Sequence, residues 1–167
     1  MTNDANQSQG KSEKEDTTLL THVNKNGEAH MVDVNRKKIM HREAQACGKI
    51  YMASATIDAI KQNMIKKGDV LATARIAGIM GAKKTAELIP LCHNIPIDHI
   101  DIGFEILADH ISIHSHAICD AKTGIEMEAI SAVSIAAITI YDMCKAIDKS
   151  MIISEIKLIG KSKHELQ

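Results

Sequence analysis

Tryptophan is absent from this 167-residue chain, which holds one Phe and two Tyr. Without aromatic platforms for base stacking, and with a formal net charge of −1 in place of a basic footprint, nucleic acid is not an expected partner. No apolar run approaches the roughly 20 residues that cross a bilayer. The N-terminal MTNDANQSQGKSEKED also lacks the apolar stretch of a signal peptide, so the expected location is the cytoplasm, with no membrane partner. Cysteine is sparse and scattered, at Cys47, Cys92, Cys119 and Cys144, with no CxxC pair. That pattern excludes a disulfide framework and fits reduced, buried thiols.

What is present is aliphatic. Hydrophobic residues make up 45% of the chain, mostly Ile, Ala, Met and Val, enough for one finely divided core and one domain. Residues 1–18 are polar without periodic apolar positions and are expected to form a disordered tail. Residues 19–167 are expected to form a single domain, opening with an irregular or short-strand lead-in through Arg36 that carries an Asn-Gly turn signal.

ACGKIYMA (46–53) reads as a short strand, and SATIDAIKQN as a helix capped by Ser54. Asp69 is placed to cap a second helix, GDVLATARIAGIMGAKKTAELI, which must stop near Pro90. Its small residues Ala74, Ala77, Gly78 and Gly81 suit close helix packing. HIDIGFEIL and HISIHSHAIC alternate and form a hairpin across Ala108-Asp109. EAISAVSIAAITIYDMCKAI follows as a helix apolar nearly all round, expected to be buried, and MIISEIKLIG closes the chain as a strand. The order β, α, α, β, β, α, β is that of an α+β ferredoxin-like sandwich with an extra helix.

In that apolar helix Asp142 and Lys145 lie three residues apart on one face, where unpaired charge is costly. They are a structural ion pair or an acid/base pair tuned by burial. Lys66-Lys67 beside a helix start, and Lys157, Lys161 and Lys163 near the C-terminus, invite an anion, although each alone fits a solvated surface. Glu126 and Glu128 flank Met127 and share a direction only if the stretch is extended. If it is helical, about 14 steps of roughly 1.5 Å put Glu128 ~21 Å from Asp142. Either the ligand is long, or each site combines residues of two chains across an interface, which the apolar helix favours. His93 follows the Pro90 stop on a loop, where a binding residue can be exposed. His110, His114 and His116 lack a fourth partner at metal-ligand spacing, and no metal site is expected.

LTHVNKNGEAHMVDV, REA at Arg42, KGDVLATARIAGI, LIPLCH, KTGIEMEA and IYDMCKA together resemble the molybdenum cofactor biosynthesis protein C family, from Leu19 to about Ser162. The resemblance implies a lyase that turns a cyclised dihydroguanosine triphosphate into cyclic pyranopterin monophosphate and pyrophosphate. It also implies a homohexamer, a trimer of dimers, with sites at dimer interfaces. By motif position it implies that Asp142 is catalytic, with Lys67 and Lys145 as acid/base groups. Leu91, Cys92 and His93, with Glu126, Met127 and Glu128, would hold substrate, and Arg42 and Lys161 the phosphates. No resident cofactor is implied, Mg²⁺ being at most a companion of the phosphates. The chain departs from the family after Lys161, where SKHELQ replaces a glycine-rich segment. The competing reading from the residues is a non-catalytic ferredoxin-like module that binds an anionic metabolite.

Overall fold

The structure is a computed structural model that describes residues 26–166, so the expected tail lies outside the described residues. The chain divides into two compact units at Val32/Asp33. In the first, residues 26–32 contain a turn with Gly27 at φ 82, the left-handed conformation that the Asn-Gly signal predicts.

The second unit carries four strands and four helices among the described residues: β1 (Met40–Tyr51), α1 (Ser54–Lys61), α2 (Val70–Lys83), α3 (Thr85–Leu88), β2 (His99–Ile106), β3 (His110–Ala121), α4 (Glu126–Cys144) and β4 (Ile152–His164). The strands form one antiparallel sheet in the order β2-β3-β1-β4. With helices on one face, this is the ferredoxin-like sandwich.

β1 sits at the centre because it can serve both neighbours and both faces. Ala44, Ala46, Gly48 and Ile50 are buried toward the helices, alternating with the more exposed Gln45, Cys47, Lys49 and Tyr51. Gly48 is needed where α4 crosses: a Cβ there would stand 2.7 Å from Val133 Cγ1. The strand is longer than the expected 46–53, starting at Met40, because the polar stretch from Met40 to Gln45 pairs with β3 throughout and with β4 from His41. β4 likewise outruns the expected strand and carries Lys161 and Lys163 within it. Backbone pairing, which polar side chains do not prevent, extends both.

The helix starts are mixed. Asp69 caps α2 as expected, its Oδ1 accepting from Ala72 N–H at 2.9 Å. Ser54 does not cap α1. The N-cap is Ala53, with no side-chain cap of its own; the acceptor comes from far away, Asp148 Oδ2, which takes the Ala53 amide at 2.9 Å. The expected single helix up to Pro90 is broken at Lys84, whose amide is shared between Met80 and Gly81 carbonyls, and one turn of α3 follows.

α2 and α4 approach closely through small residues. A Cβ on Gly78 would stand 2.7 Å from the Ala132 carbonyl, and one on Gly81 2.7 Å from Ile135 Cγ1. The core beneath is aliphatic, with Ile50, Ile57, Ile102, Ile111, Ile113, Val133 and Ile140 at about zero exposure. Each contributes on the order of 1.5–3 kcal/mol on burial. α4 is long and apolar enough to cross a membrane by composition, yet half of that stretch is buried inside the fold, against the sheet and α2. Within the single chain its outer face is open, with Ile138 54% exposed.

Candidate functional site

The candidate residues fall at the two ends of α4. At the C-terminal end, Asp142 lies between two lysines. Lys145 Nζ stands 2.7 Å from Asp142 Oδ1, a turn further along the helix. Lys67 arrives from the loop between α1 and α2 and donates to Oδ2 at 2.6 Å and to the Asp142 carbonyl at 2.8 Å. The hydrogen bonds from Lys145 and then Lys67 hold the Asp142 carboxyl down at about 2, and Asp142 in turn raises Lys145 above its ordinary value. The resting trio is therefore one carboxylate between ammonium groups at neutral pH, with a local surplus of positive charge.

Burial is not what tunes this trio. Side chains of Lys67, Asp142 and Lys145 are 44, 53 and 56% exposed, so the expected desolvated pair is corrected to a solvent-accessible cluster on the last turn of the helix. The reason is position: the apolar stripe of α4 ends at Met143 and Cys144, which are buried, while Asp142 and Lys145 face outward. Of the pair Lys66-Lys67, Lys67 is turned to Asp142.

The N-terminal end of α4 gathers most of the others. α4 begins at Glu126, so Glu126 and Glu128 are helical and diverge. Glu126 meets Lys161 Nζ at 3.0 Å. Burial pushes its carboxyl up, but its own amide and Lys161 outweigh that and hold it below the ordinary value. Gly124 has no Cβ because the Glu126 carboxylate folds back over it. Glu128 is 4% exposed, and burial first, then the charge of Glu126, raises its pKa. Met127, 37% exposed, points out between them.

Arg42 is fixed by Nε to the Ala121 carbonyl at 2.9 Å and Nη2 to the Lys122 carbonyl at 3.2 Å. With Glu126, Lys161 and Lys163 it lines a cleft of about 300 Å³. Lys163, one of the three C-terminal lysines whose clustering invites an anion, is brought here by pairing with Arg42 across β1 and β4. Leu91, Cys92 and His93 are half-buried. Burial and then the charge of Glu128 push the Cys92 thiol up. His93 lines a second hollow of about 290 Å³ with Pro96, Asp120 and Thr123.

Two of the three β3 histidines are engaged with carboxylates: His116 Nε2 with Glu43 Oε2 at 2.9 Å, and His110 Nδ1 with Asp109 Oδ1 at 2.7 Å. Among the described residues no group of three or more His, Cys, Asp or Glu side chains is arranged to hold a metal. Asp148, which sequence reading passed over, is the best satisfied buried carboxylate in the chain's described part. Its only sequence signal is the Asp-x-Ser turn at 148–150.

From Glu126 to Asp142, α4 runs 16 steps, or roughly 24 Å at about 1.5 Å each. The structure thus assembles a Lys67–Asp142–Lys145 trio and a separate Arg42–Glu126–Lys161 cleft, and does not join them within one chain.

Comparison with known proteins gives a consistent picture. The sequence profile of the MoaC family matches residues 31–164. A protein of Peptoclostridium acidaminophilum named cyclic pyranopterin monophosphate synthase is 54% identical over 143 residues, covering 86% of this chain and 91% of its own. One of the same name from Clostridium acetobutylicum is 53% identical over 146 residues, with the same coverages.

Proposed function

This chain belongs to the MoaC family, and from that premise we propose that it is a cyclic pyranopterin monophosphate synthase, a lyase of molybdenum cofactor biosynthesis acting in the cytoplasm. Its substrate is a cyclised dihydroguanosine triphosphate, and its products are cyclic pyranopterin monophosphate and pyrophosphate. The observation that carries the reading is the Asp142 carboxylate held between Lys67 and Lys145 at 2.6 and 2.7 Å.

Rebuilding a purine-derived ring and closing a cyclic phosphate with loss of pyrophosphate requires protons to move at several atoms. Lys67 and Lys145 are placed to give and take those protons, and Asp142 keeps both ammonium groups aimed at one point. Losing pyrophosphate from the triphosphate also builds negative charge, which the trio's surplus positive charge opposes. Arg42 and Lys161, with Lys163 beside them, supply charge-assisted contacts of about 1.5–3 kcal/mol each to a phosphate chain. Leu91, Cys92, His93, Met127 and Glu128 form the wall against which the heterocycle rests.

The separation of trio and cleft supports a site shared between chains, the trio of one protomer facing the cleft of its partner, in a homohexamer built as a trimer of dimers. Mg²⁺, where it takes part, arrives with the phosphates; no resident cofactor is called for.

The deciding assay supplies purified protein with the cyclised triphosphate, measures pyrophosphate and identifies the product by mass. Stoichiometric pyrophosphate with cyclic pyranopterin monophosphate is the expected result. Tight binding without release of pyrophosphate would instead favour an anion-binding module.

A further inference from the structure

Helix α1 is fastened to the end of α4 at two points. At its start the Asp148 carboxylate, 6% exposed, accepts from the Ala53 amide at 2.9 Å and the Thr56 hydroxyl at 3.1 Å on Oδ2. Its Oδ1 accepts from the Ser150 amide at 2.9 Å and hydroxyl at 2.7 Å. The Asp148 amide donates to the Cys144 carbonyl at 3.1 Å, so this carboxylate rides on the final turn of α4.

At the other end the chain leaves α1 through Asn63 at φ 52 and turns again at Gly68 at φ 100. Between those two left-handed residues Lys67 returns to Asp142, on the same final stretch of α4. Two tethers therefore bracket one helix. α1 itself, eight residues long, is a stiff strut of roughly 12 Å.

Packing sets the spacing between the tethers only in part, through Ile65 of the α1–α2 loop, which joins the core at 8% exposure. Ile57 and Ile60 are buried at 1 and 8% and seat one face of α1 in the core. On the Ala59 side the helix, its loop and the end of α4 together line an apolar hollow of about 270 Å³, with Met64, Ile65, Met143, Ala146 and Ile147 in its walls. Where interiors are close-packed, neighbours fix one another; across a hollow they do not. The hydrogen bonds at the two ends therefore add to Ile57, Ile60 and Ile65 in fixing the tilt of the strut.

We propose that Asp148 is a positioning residue for Lys67: by anchoring the start of α1 to the exit of α4, it sets where the α1–α2 loop delivers the Lys67 ammonium group onto Asp142. Its effect on turnover rests on the functional reading above. Its effect on the geometry of the trio does not.

The experiment follows the Asp142 carboxyl carbon by NMR as the full-length protein is titrated with acid. In the wild type Asp142 titrates at about 2, and Lys67→Gln marks the midpoint reached without that lysine. Asp148→Asn is expected to move the midpoint part of the way to that mark, a threefold to tenfold change in ionisation constant being about 0.5 to 1 unit. Thr56→Val, which removes one of the four contacts, should shift it less and in the same direction.

Turnover should fall about tenfold in Asp148→Asn with KM within about twofold, since sub-ångström misplacement of a reacting group costs rate more than binding. In the Lys67→Gln background Asp148→Asn should cost nothing more. An Asp142 midpoint unmoved in both Asp148→Asn and Thr56→Val overturns the proposal; if Asp148→Asn does not fold, Thr56→Val alone decides. Absence of turnover in the wild type counts against the functional reading and leaves the titration test standing.

Discussion

Lys67 donates to both the carboxylate and the backbone carbonyl of Asp142, 75 residues away in sequence, at 2.6 and 2.8 Å. A double contact of this kind fixes an ammonium group in direction as well as distance. Both side chains are about half exposed, and exposed ion pairs contribute little to stability, on the order of 0–1 kcal/mol. The pair therefore adds little to the fold, as the proposed role in catalysis requires.

Lys67→Gln and Asp142→Asn are accordingly expected to leave unfolding free energies close to that of wild type. Pyrophosphate release should fall by roughly 10² to 10⁴-fold in each. Chemical denaturation and turnover measured on the same preparations check this. An Asp142→Asn protein that works at the wild-type rate would remove the carboxylate from the mechanism, and one that fails to fold would make the cluster structural.

Because trio and cleft are roughly 24 Å apart along α4, two inactive variants should rescue each other if sites are shared between chains. Asp142→Asn spoils only the trio and Arg42→Gln only the cleft. Co-expressed in equal amount, they should regain about a quarter of wild-type activity, from sites that draw both intact halves. No recovery in verified mixed oligomers would place both halves in one chain's site.

Much of this arrangement was legible in the sequence, for identifiable reasons. The fold follows from alternation in β2 and β3 and from the composition of α4, both strong periodic signals. Asp69 was readable as a cap because its partner lies three residues on. Asp148 was not, because its partners Ala53 and Thr56 lie more than ninety residues away, and no local rule reaches that far. The contact between Lys67 and Asp142 was hidden for the same reason. The exposure of Asp142 was misjudged on other grounds. Composition averages over a helix, whereas burial ends abruptly where its last turn leaves the core.

Asp148 should also mark the acid limit of the fold. Hydrogen bonds from the Ala53 amide and then Ser150 hold its pKa at about 2, below the ordinary 3.8. A carboxyl depressed in the folded state contributes stability that is fully present above the unfolded value and is lost as pH falls through the folded one. The loss therefore runs from about pH 4 to about pH 2 and amounts to about 2 kcal/mol. Asp148→Ala should be less stable than wild type at neutral pH by about 2–3 kcal/mol, with the Thr56 hydroxyl left without its acceptor. The difference should shrink on acidification, as urea unfolding at several pH values would reveal; a difference independent of pH would mean that packing, and not charge, is what Asp148 supplies.

Glu128 predicts the opposite sign. It is 4% exposed, and burial, reinforced by the charge of Glu126, raises its pKa above the ordinary 4.5. Between the unfolded value and the raised one the native state holds more protons, so stability falls as pH rises through that window. Glu128→Gln keeps the shape and removes the ionisation. It should match wild type in acid and be more stable than wild type at neutral pH, where the native protein must either bury a charge or hold a proton against solvent. Glu128 stands in the first turn of α4, near Cys92, and the proposed substrate wall would keep a carboxyl there at the expense of stability. Glu128→Gln should for that reason raise KM for the triphosphate while it stabilises the fold. Urea unfolding across pH and steady-state kinetics on one preparation test both halves, and a variant less stable than wild type at neutral pH would show that the ionised carboxylate has a buried partner that supports the fold.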